Sequence, residues 1–251
     1  MQWLFDLDGV IWRGGQAIPG AADAVDRIRA AGHGVAFVTN NSGPTRSELV
    51  DRLADAGIQA SGADLFTSAQ AAASLLDAGT SATIVGDAGI VEALTEGGIE
   101  VVEPDAHPQV VVVGRSAVLD HDRLALVADA LRGGARFIAT NTDATFPTPT
   151  GLVPGAGATV AFLATAGGAS AEVAGKPHRA VADLVRDRLG PIDVMVGDRA
   201  DTDGLFAQAI GARFALVLSG VTKQQDLPVE PDPDTVDADL AALADRVLHG
   251  P

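Results

Sequence analysis

Short apolar runs alternate with stretches of helical spacing along most of the chain. Trp3, Leu4 and Phe5 form the first run and predict a buried strand. Ala21, Val25 and Ile28 then recur at helical intervals, and Gly32 and Gly34 close that helix. A second apolar run at 35–38 predicts another strand, and Leu49 and Leu53 mark a helix over 45–56 that stops at Gly57. A third unit follows, a short strand at 64–67 and an alanine-rich helix over 68–77. Strand and helix in strict alternation predict a parallel sheet with right-handed crossovers.

The pattern restarts at Gly79. Strands are predicted at 82–86, 99–103, 110–114 and 137–140, and helices at 90–96 and 120–131. A turn-rich stretch over 141–155 reads as a binding loop or lid, with a plain surface excursion as the alternative. A helix over 156–166 ends this block. The first kind of pattern resumes at 172–174, with a helix over 179–188, strands at 192–196 and 214–218, a helix over 204–210 and a closing helix over 238–248. The expected organisation is one discontinuous α/β domain, residues 1–78 and 172–251, interrupted by a smaller α/β domain over 79–171.

Composition narrows what such a chain can do. With 47% hydrophobic residues it can build a core, and no run of 18 apolar residues or export-type N-terminal segment is present, so a soluble, cytoplasmic protein is expected. There are no cysteines, and the five histidines lack ligand spacing, so any metal must be held by oxygen. A formal net charge of -16 argues against nucleic acid or an anionic membrane as partner, whereas a small anionic substrate needs only a local positive site. Of 17 basic residues only two are lysines, Lys176 and Lys223.

Candidate chemistry sits at the ends of the predicted strands. The first strand runs into Asp6-Leu7-Asp8-Gly9, two carboxylates that a strand spacing of two sends to one side, followed by a glycine that lets the chain turn. A solvated turn is the ordinary reading of Asp-x-Asp-Gly. At the end of a buried strand the pair repels itself unless a cation or a proton intervenes, which asks for a hard divalent ion, Mg²⁺ first among them. Later strands end in Thr39-Asn40-Asn41-Ser42, in Gly175-Lys176-Pro177 and in Gly197-Asp198-Arg199-Ala200-Asp201-Thr202-Asp203. Strand ends of one polarity share a crevice in an open parallel sheet. The set then comprises a carboxylate nucleophile, a second carboxylate for proton transfer, an acidic metal pocket, a hydroxyl, an amide and a lysine, which suits phosphoryl transfer. A salt bridge within the acidic loop and a role in ordering that loop are equal readings of Arg199. Lys223 reads as surface.

These four motifs, in this order and spacing, resemble those of the haloacid dehalogenase (HAD) superfamily. The insert resembles the C2-type cap of its subfamily IIA, the branch of NagD and of phosphoglycolate, glycerol-3-phosphate and pyridoxal-phosphate phosphatases. The resemblance implies a Rossmann-like core with an inserted α/β cap, and Mg²⁺-dependent hydrolysis of small phosphate monoesters through an aspartyl-phosphate. Asp6 would be the nucleophile, Asp8 the proton donor and acceptor, and Lys176 a point charge on phosphate and Asp6. Mg²⁺ would be held by Asp6, the Asp8 backbone carbonyl and Asp198, with Asp203 behind them or acting through water. Thr39, Asn40 and Asn41 would bind the phosphate, and Thr145 and Phe146 would lie nearest the leaving group. The partner would be a small phosphorylated metabolite, and relatives suggest a homodimer. Pyridoxal-phosphate phosphatases tend to carry histidine near Phe146, so that substrate is disfavoured here. A non-catalytic phosphate-ester binder and a phospho-acceptor signalling domain remain the alternative functions.

Overall fold

A computed structural model describes residues 1–148 and 151–249. Chain contacts divide it into two compact units, one of Met1–Thr39, Ser47–Phe66 and Lys176–Pro251, the other of Asn40–Arg46 and Thr67–Gly175.

The first unit carries a six-stranded sheet in the order Thr235–Asp237, Arg213–Val217, Val194–Gly197, Gln2–Asp6, Gly34–Thr39, Leu65–Thr67. Gln2–Asp6 pairs in parallel with Val194–Gly197 on one side and Gly34–Thr39 on the other. The chain winds outward one way through its early strands and the other way through its late ones. The switch therefore falls at the carboxyl end of the first strand, where open α/β sheets bind ligands. Trp3 and Phe5 alternate onto one face, with ring centroids 6.0 Å apart, and Phe5 meets Phe37 directly across the ladder at 6.0 Å. Val25 and Ile28 of the helix Ala21–Ala30 and Leu49 and Leu53 of the helix Arg46–Asp55 join the same core. Each such buried side chain contributes about 1.5–3 kcal/mol.

The second unit is built on a five-stranded, all-parallel sheet in the order Glu172–Val173, Arg136–Ala139, Val110–Val113, Ser81–Val85, Glu100–Val101. Leu124, Val127 and Leu131 of the helix His121–Arg132 and Val160 and Leu163 of the helix Ala156–Gly167 share its core. Asp120 caps the former by accepting from the Arg123 N–H at 2.7 Å.

Several elements differ from the sequence expectation. The stretch over 141–155 is no plain loop: Thr145–Thr148 pairs antiparallel with Gly151–Pro154, with Phe146 opposite Val153. Pro149 and Thr150 of that stretch lie outside the described residues. Glu172–Val173, expected to reopen the first domain, pairs instead with Ile138 and Ala139 of the second sheet. The alanine-rich helix ends at Ala73, where the Ser74 hydroxyl donates to the Ala71 carbonyl at 2.8 Å and competes with helix propagation. No strand is expected between 218 and 238, yet Thr235–Asp237 forms an edge strand paired with 215–217.

Candidate active site

The first strand delivers Asp6 to the sheet edge with only 7% of its surface exposed. Behind it the chain turns at once. The N–H groups of Ile11 and Trp12 both donate to the Leu7 carbonyl, at 2.9 and 3.1 Å, and Gly9 takes φ 90°, a left-handed conformation that glycine adopts without strain. A Cβ on Gly9 would stand 2.4 Å from Asp198 Oδ2, and one on Gly220 would stand 1.9 Å from the same atom. Backbone can approach this carboxylate only because both positions lack a side chain.

Lys176 is 4% exposed and lies between two carboxylates. Its Nζ donates to Asp6 Oδ1 at 2.7 Å and to Asp203 Oδ1 at 2.6 Å. Asp203 also accepts from the N–H groups of Asp198 and Arg199 through Oδ2, both at 3.1 Å. Its position comes from a single π-helical turn, Ala200–Gly204, a widened turn that aims the side chain back at the preceding strand end. Gly197 is required there, since a Cβ would fall 2.2 Å from that of Asp203. Asp198 Oδ2 accepts from the Val221 N–H at 2.5 Å.

One lysine does not balance this much negative charge. Burial pushes the Asp6 carboxyl well above the ordinary range; Lys176 pulls it back, and Asp203, Asp198 and Asp8 push it up again. Asp198 is pushed up to about 7, by burial first and by Asp203 next. Burial would pull the Lys176 ammonium down, but Asp203 and Asp6 outweigh it and hold it above the usual lysine range. The site therefore calls for a further proton or a cation. Asp6, Asp198 and Asp203 each offer an oxygen within 4.8 Å of the others. This hard, oxygen-only set, with backbone closing in on Asp198, fits a small divalent cation.

The other candidate residues are placed as follows. Asp8 is half-buried and accepts from the Trp12 indole N–H at 3.1 Å. Thr39 is buried at the end of the neighbouring strand, one residue beyond Val38, the ladder partner of Asp6. Asn40, Asn41, Thr145 and Phe146 belong to the second unit. There the Asn40 carbonyl accepts from Ser68 Oγ at 2.6 Å and Asn141 Nδ2 at 2.7 Å, and Asn41 Oδ1 accepts from the Gly43 N–H at 3.1 Å. Thr145 and Phe146 lie in the hairpin strand. Arg199 forms a two-point contact with Asp201, at 3.0 and 2.8 Å, while its N–H holds Asp203, so the salt bridge and the ordering of the loop go together.

The structure gives three residues a part that the sequence does not disclose. Lys223, expected at the surface, donates to the carbonyls of Leu218 and Gly220 and ties the loop whose Val221 N–H holds Asp198. The scarcity of lysine was the available signal. Arg115 places its guanidinium 4.2 Å from the centre of the Phe146 ring, a cation–π contact between a loop and the hairpin strand. Trp12 was assigned no role.

A buried carboxylate at the switch point, paired with lysine inside an acidic metal-type cluster, defines a phosphoryl-transfer kind of site on a Rossmann-like sheet. Comparison with known proteins gives the family. Residues 3–100 match the haloacid dehalogenase-like hydrolase model, and residues 173–243 match a second model of HAD-like hydrolases. The acid sugar phosphatase of Staphylococcus aureus is 33% identical over 240 residues, covering 93% of this chain and 92% of that protein. The glycerol phosphate phosphatase of Mycobacterium tuberculosis, crystallised with magnesium, superimposes with a TM-score of 0.90 at 37% identity, covering 96% of this chain and 75% of that one. NagD from Escherichia coli K-12 gives 0.86 at 30% identity, with 96% of each chain covered. The chain belongs to the haloacid dehalogenase-like hydrolases. Within them it falls in subfamily IIA, the NagD branch, and the relatives just described as enzymes of known activity are phosphatases.

Proposed function

We propose that this protein is a Mg²⁺-dependent phosphatase of small phosphate monoesters that works through a phosphoaspartate on Asp6. The observation that carries the proposal is the Asp6 carboxylate, buried at the sheet's switch point and held 2.7 Å from Lys176 in a cluster of acids too concentrated to be a structural ion pair. Several kcal/mol are lost in burying each ion, a cost that packing alone has no reason to incur. The relatives support phosphate esters as substrates, and the acidic triad supports the metal.

An Asp6 oxygen attacks phosphorus while the bond to the ester oxygen breaks, and the departing alkoxide takes a proton from the Asp8 carboxyl. Water then attacks the phosphoaspartate, gives its proton to Asp8, and returns the bonding pair to Asp6. Lys176 keeps Asp6 oriented and offsets the charge on the phosphoryl oxygens. Asp6, Asp8 through its carbonyl, Asp198 and Asp203 would hold Mg²⁺, which supplies charge neutralisation at the transferring group. Thr39, Asn40 and Asn41 bind phosphate oxygens, and Thr145 and Phe146 meet the leaving group. Residues 79–171, whose sheet Glu172–Val173 completes, serve as a C2-type cap that selects among glycerol phosphate, phosphoglycolate, sugar phosphates and mononucleotides, and residues 1–78 and the chain beyond Val173 form the catalytic core.

Phosphate release from a panel of these esters, with Mg²⁺ and with chelator, tests the proposal. Metal-dependent turnover that Asp6→Asn abolishes is expected, and the best substrate identifies the class. Stable labelling of Asp6 by acetyl phosphate without turnover would instead support a signalling domain, and tight ester binding without either would support a non-catalytic binder.

A further inference from the structure

The chain has two tryptophans, and their indole N–H groups have different fates. Trp3 Nε1 is buried in the core without a hydrogen-bond partner. Trp12 Nε1 donates to Asp8 Oδ1 at 3.1 Å. We infer that Trp12 is a positioning residue for proton transfer by Asp8. The inference rests on the phosphatase assignment above and on the geometry of residues 7–12.

An indole N–H can only donate, so the oxygen it faces must present a lone pair. With Oδ1 accepting from Trp12, Oδ2 is the oxygen that gives and takes the proton during transfer. Rotating the group by half a turn would set the hydroxyl oxygen, a weaker acceptor than the carbonyl oxygen, against the N–H. Trp12 thereby favours one oxygen as the proton carrier and restrains the plane of the carboxyl. The proton on Oδ2 passes to the ester oxygen as the phosphorus–oxygen bond breaks, and the same oxygen takes it back from water in the second step.

Trp12 is well anchored for this. It is 7% exposed and packs in the core of the first unit. Its N–H donates to the Leu7 carbonyl at 3.1 Å, and its carbonyl accepts from the Gly9 N–H at 2.6 Å. Asp8 and Trp12 also form a backbone bridge. Trp12 opens the hairpin in which it pairs with Ala17 and Arg13 pairs with Gln16. The donor is thus built into the turn that carries Asp8, and a ring of the same size without the N–H would keep the packing while removing this tie on the carboxyl.

The test compares leaving groups. An alkyl phosphate such as glycerol phosphate expels a basic alkoxide and needs the proton, whereas p-nitrophenyl phosphate expels a weakly basic phenolate and hardly needs it. Trp12→Phe is expected to lower kcat/KM for glycerol phosphate, which reports only the steps up to loss of the alcohol, by about 10-fold, a part of the 10²–10⁴-fold that a positioned acid contributes. The loss of kcat/KM with p-nitrophenyl phosphate should be at least about five-fold smaller. Trp3→Phe removes the unpartnered N–H and should leave the ratio of the two kcat/KM values unchanged. If Trp12→Phe does not fold, benzothienylalanine at position 12, which exchanges N–H for sulfur at nearly constant shape, is expected to give the same selective loss. Parallel losses on both substrates, or an unchanged ratio in a folded variant, would overturn the role of Trp12 while leaving the phosphatase assignment intact. No phosphate release from the unmodified protein with either ester would overturn both.

Discussion

The two sheets finish their strands in opposite chemistries. At the carboxyl edge of the first unit, Asp6, Asp198 and Asp203 are buried with a single ammonium, that of Lys176. At the corresponding edge of the second unit, the buried polar groups are neutral: Thr140 donates to Ser42 Oγ at 3.0 Å, and Asn141 reaches the Asn40 carbonyl at 2.7 Å. Neutral pairs complete one another at a net gain of about 1 kcal/mol each and need nothing from outside. Three carboxylates around one lysine cannot do so, and the penalty per buried ion is several kcal/mol. The neutral edge is what a sheet uses to close itself. The charged edge carries a penalty that a further proton or a cation relieves.

The largest expected effect comes from altering the charged edge at its centre. Asp6→Asn should lower phosphate release by on the order of 10³-fold or more, because no nucleophile remains. Its metal-free stability should be equal to or above that of the parent, since burial already drives this carboxyl toward its neutral form. A loss of activity accompanied by unfolding would remove the distinction between a chemical and a structural edge.

Lys176→Met sharpens the contrast from the other side. It leaves Asp6 and Asp203 without their shared ammonium, and urea unfolding at pH 8 with chelator should show a loss of about 3–5 kcal/mol. Thr140→Val in the second unit should cost only about 1–2 kcal/mol, the penalty of leaving one hydroxyl partner unsatisfied. Equal costs at the two positions would mean that the edges do not differ in kind.

Proton linkage gives a smaller effect with a definite sign. Asp198 titrates near 7 in the folded chain against an ordinary 3.8, so between these values the folded state binds more protons than the unfolded one. Stability of the metal-free protein should therefore fall as pH rises from about 4 to about 7. Mg²⁺ should then raise the melting temperature more at pH 8 than at pH 5. A gain that is independent of pH would contradict the placement of the cation at these carboxylates.

The contrast also explains what the sequence could disclose. Asp6 and Asp198 were legible because each ends or directly follows an apolar run, and a parallel sheet sends such ends to one edge, whereas Lys176 follows a strand of the second sheet and was singled out by the scarcity of lysine. The parallel sense of the central strands followed from the alternation of strand and helix. Contacts between segments distant in sequence were not legible. Glu172–Val173 and Thr235–Asp237 are two and three residues long and exist only through the ladders they join. The hairpin at 145–154 was hidden by its prolines, which read as a loop until Gly151–Pro154 supplies a partner strand. The π-helical turn that aims Asp203 leaves no trace in hydrophobic periodicity. Nothing in the sequence marks Trp12, because its one polar atom matters only once the turn brings it back to Asp8.

The central claim is that Asp6 carries the phosphoryl group in transit. The most direct measurement is mass spectrometry of the protein quenched in acid during turnover of its best ester with Mg²⁺, using Asp8→Asn to slow hydrolysis of the intermediate. One added phosphoryl group on the peptide containing Asp6, absent from Asp6→Asn, is the predicted result. Turnover at full rate by Asp6→Asn, or a phosphoryl group found on another residue, would contradict it.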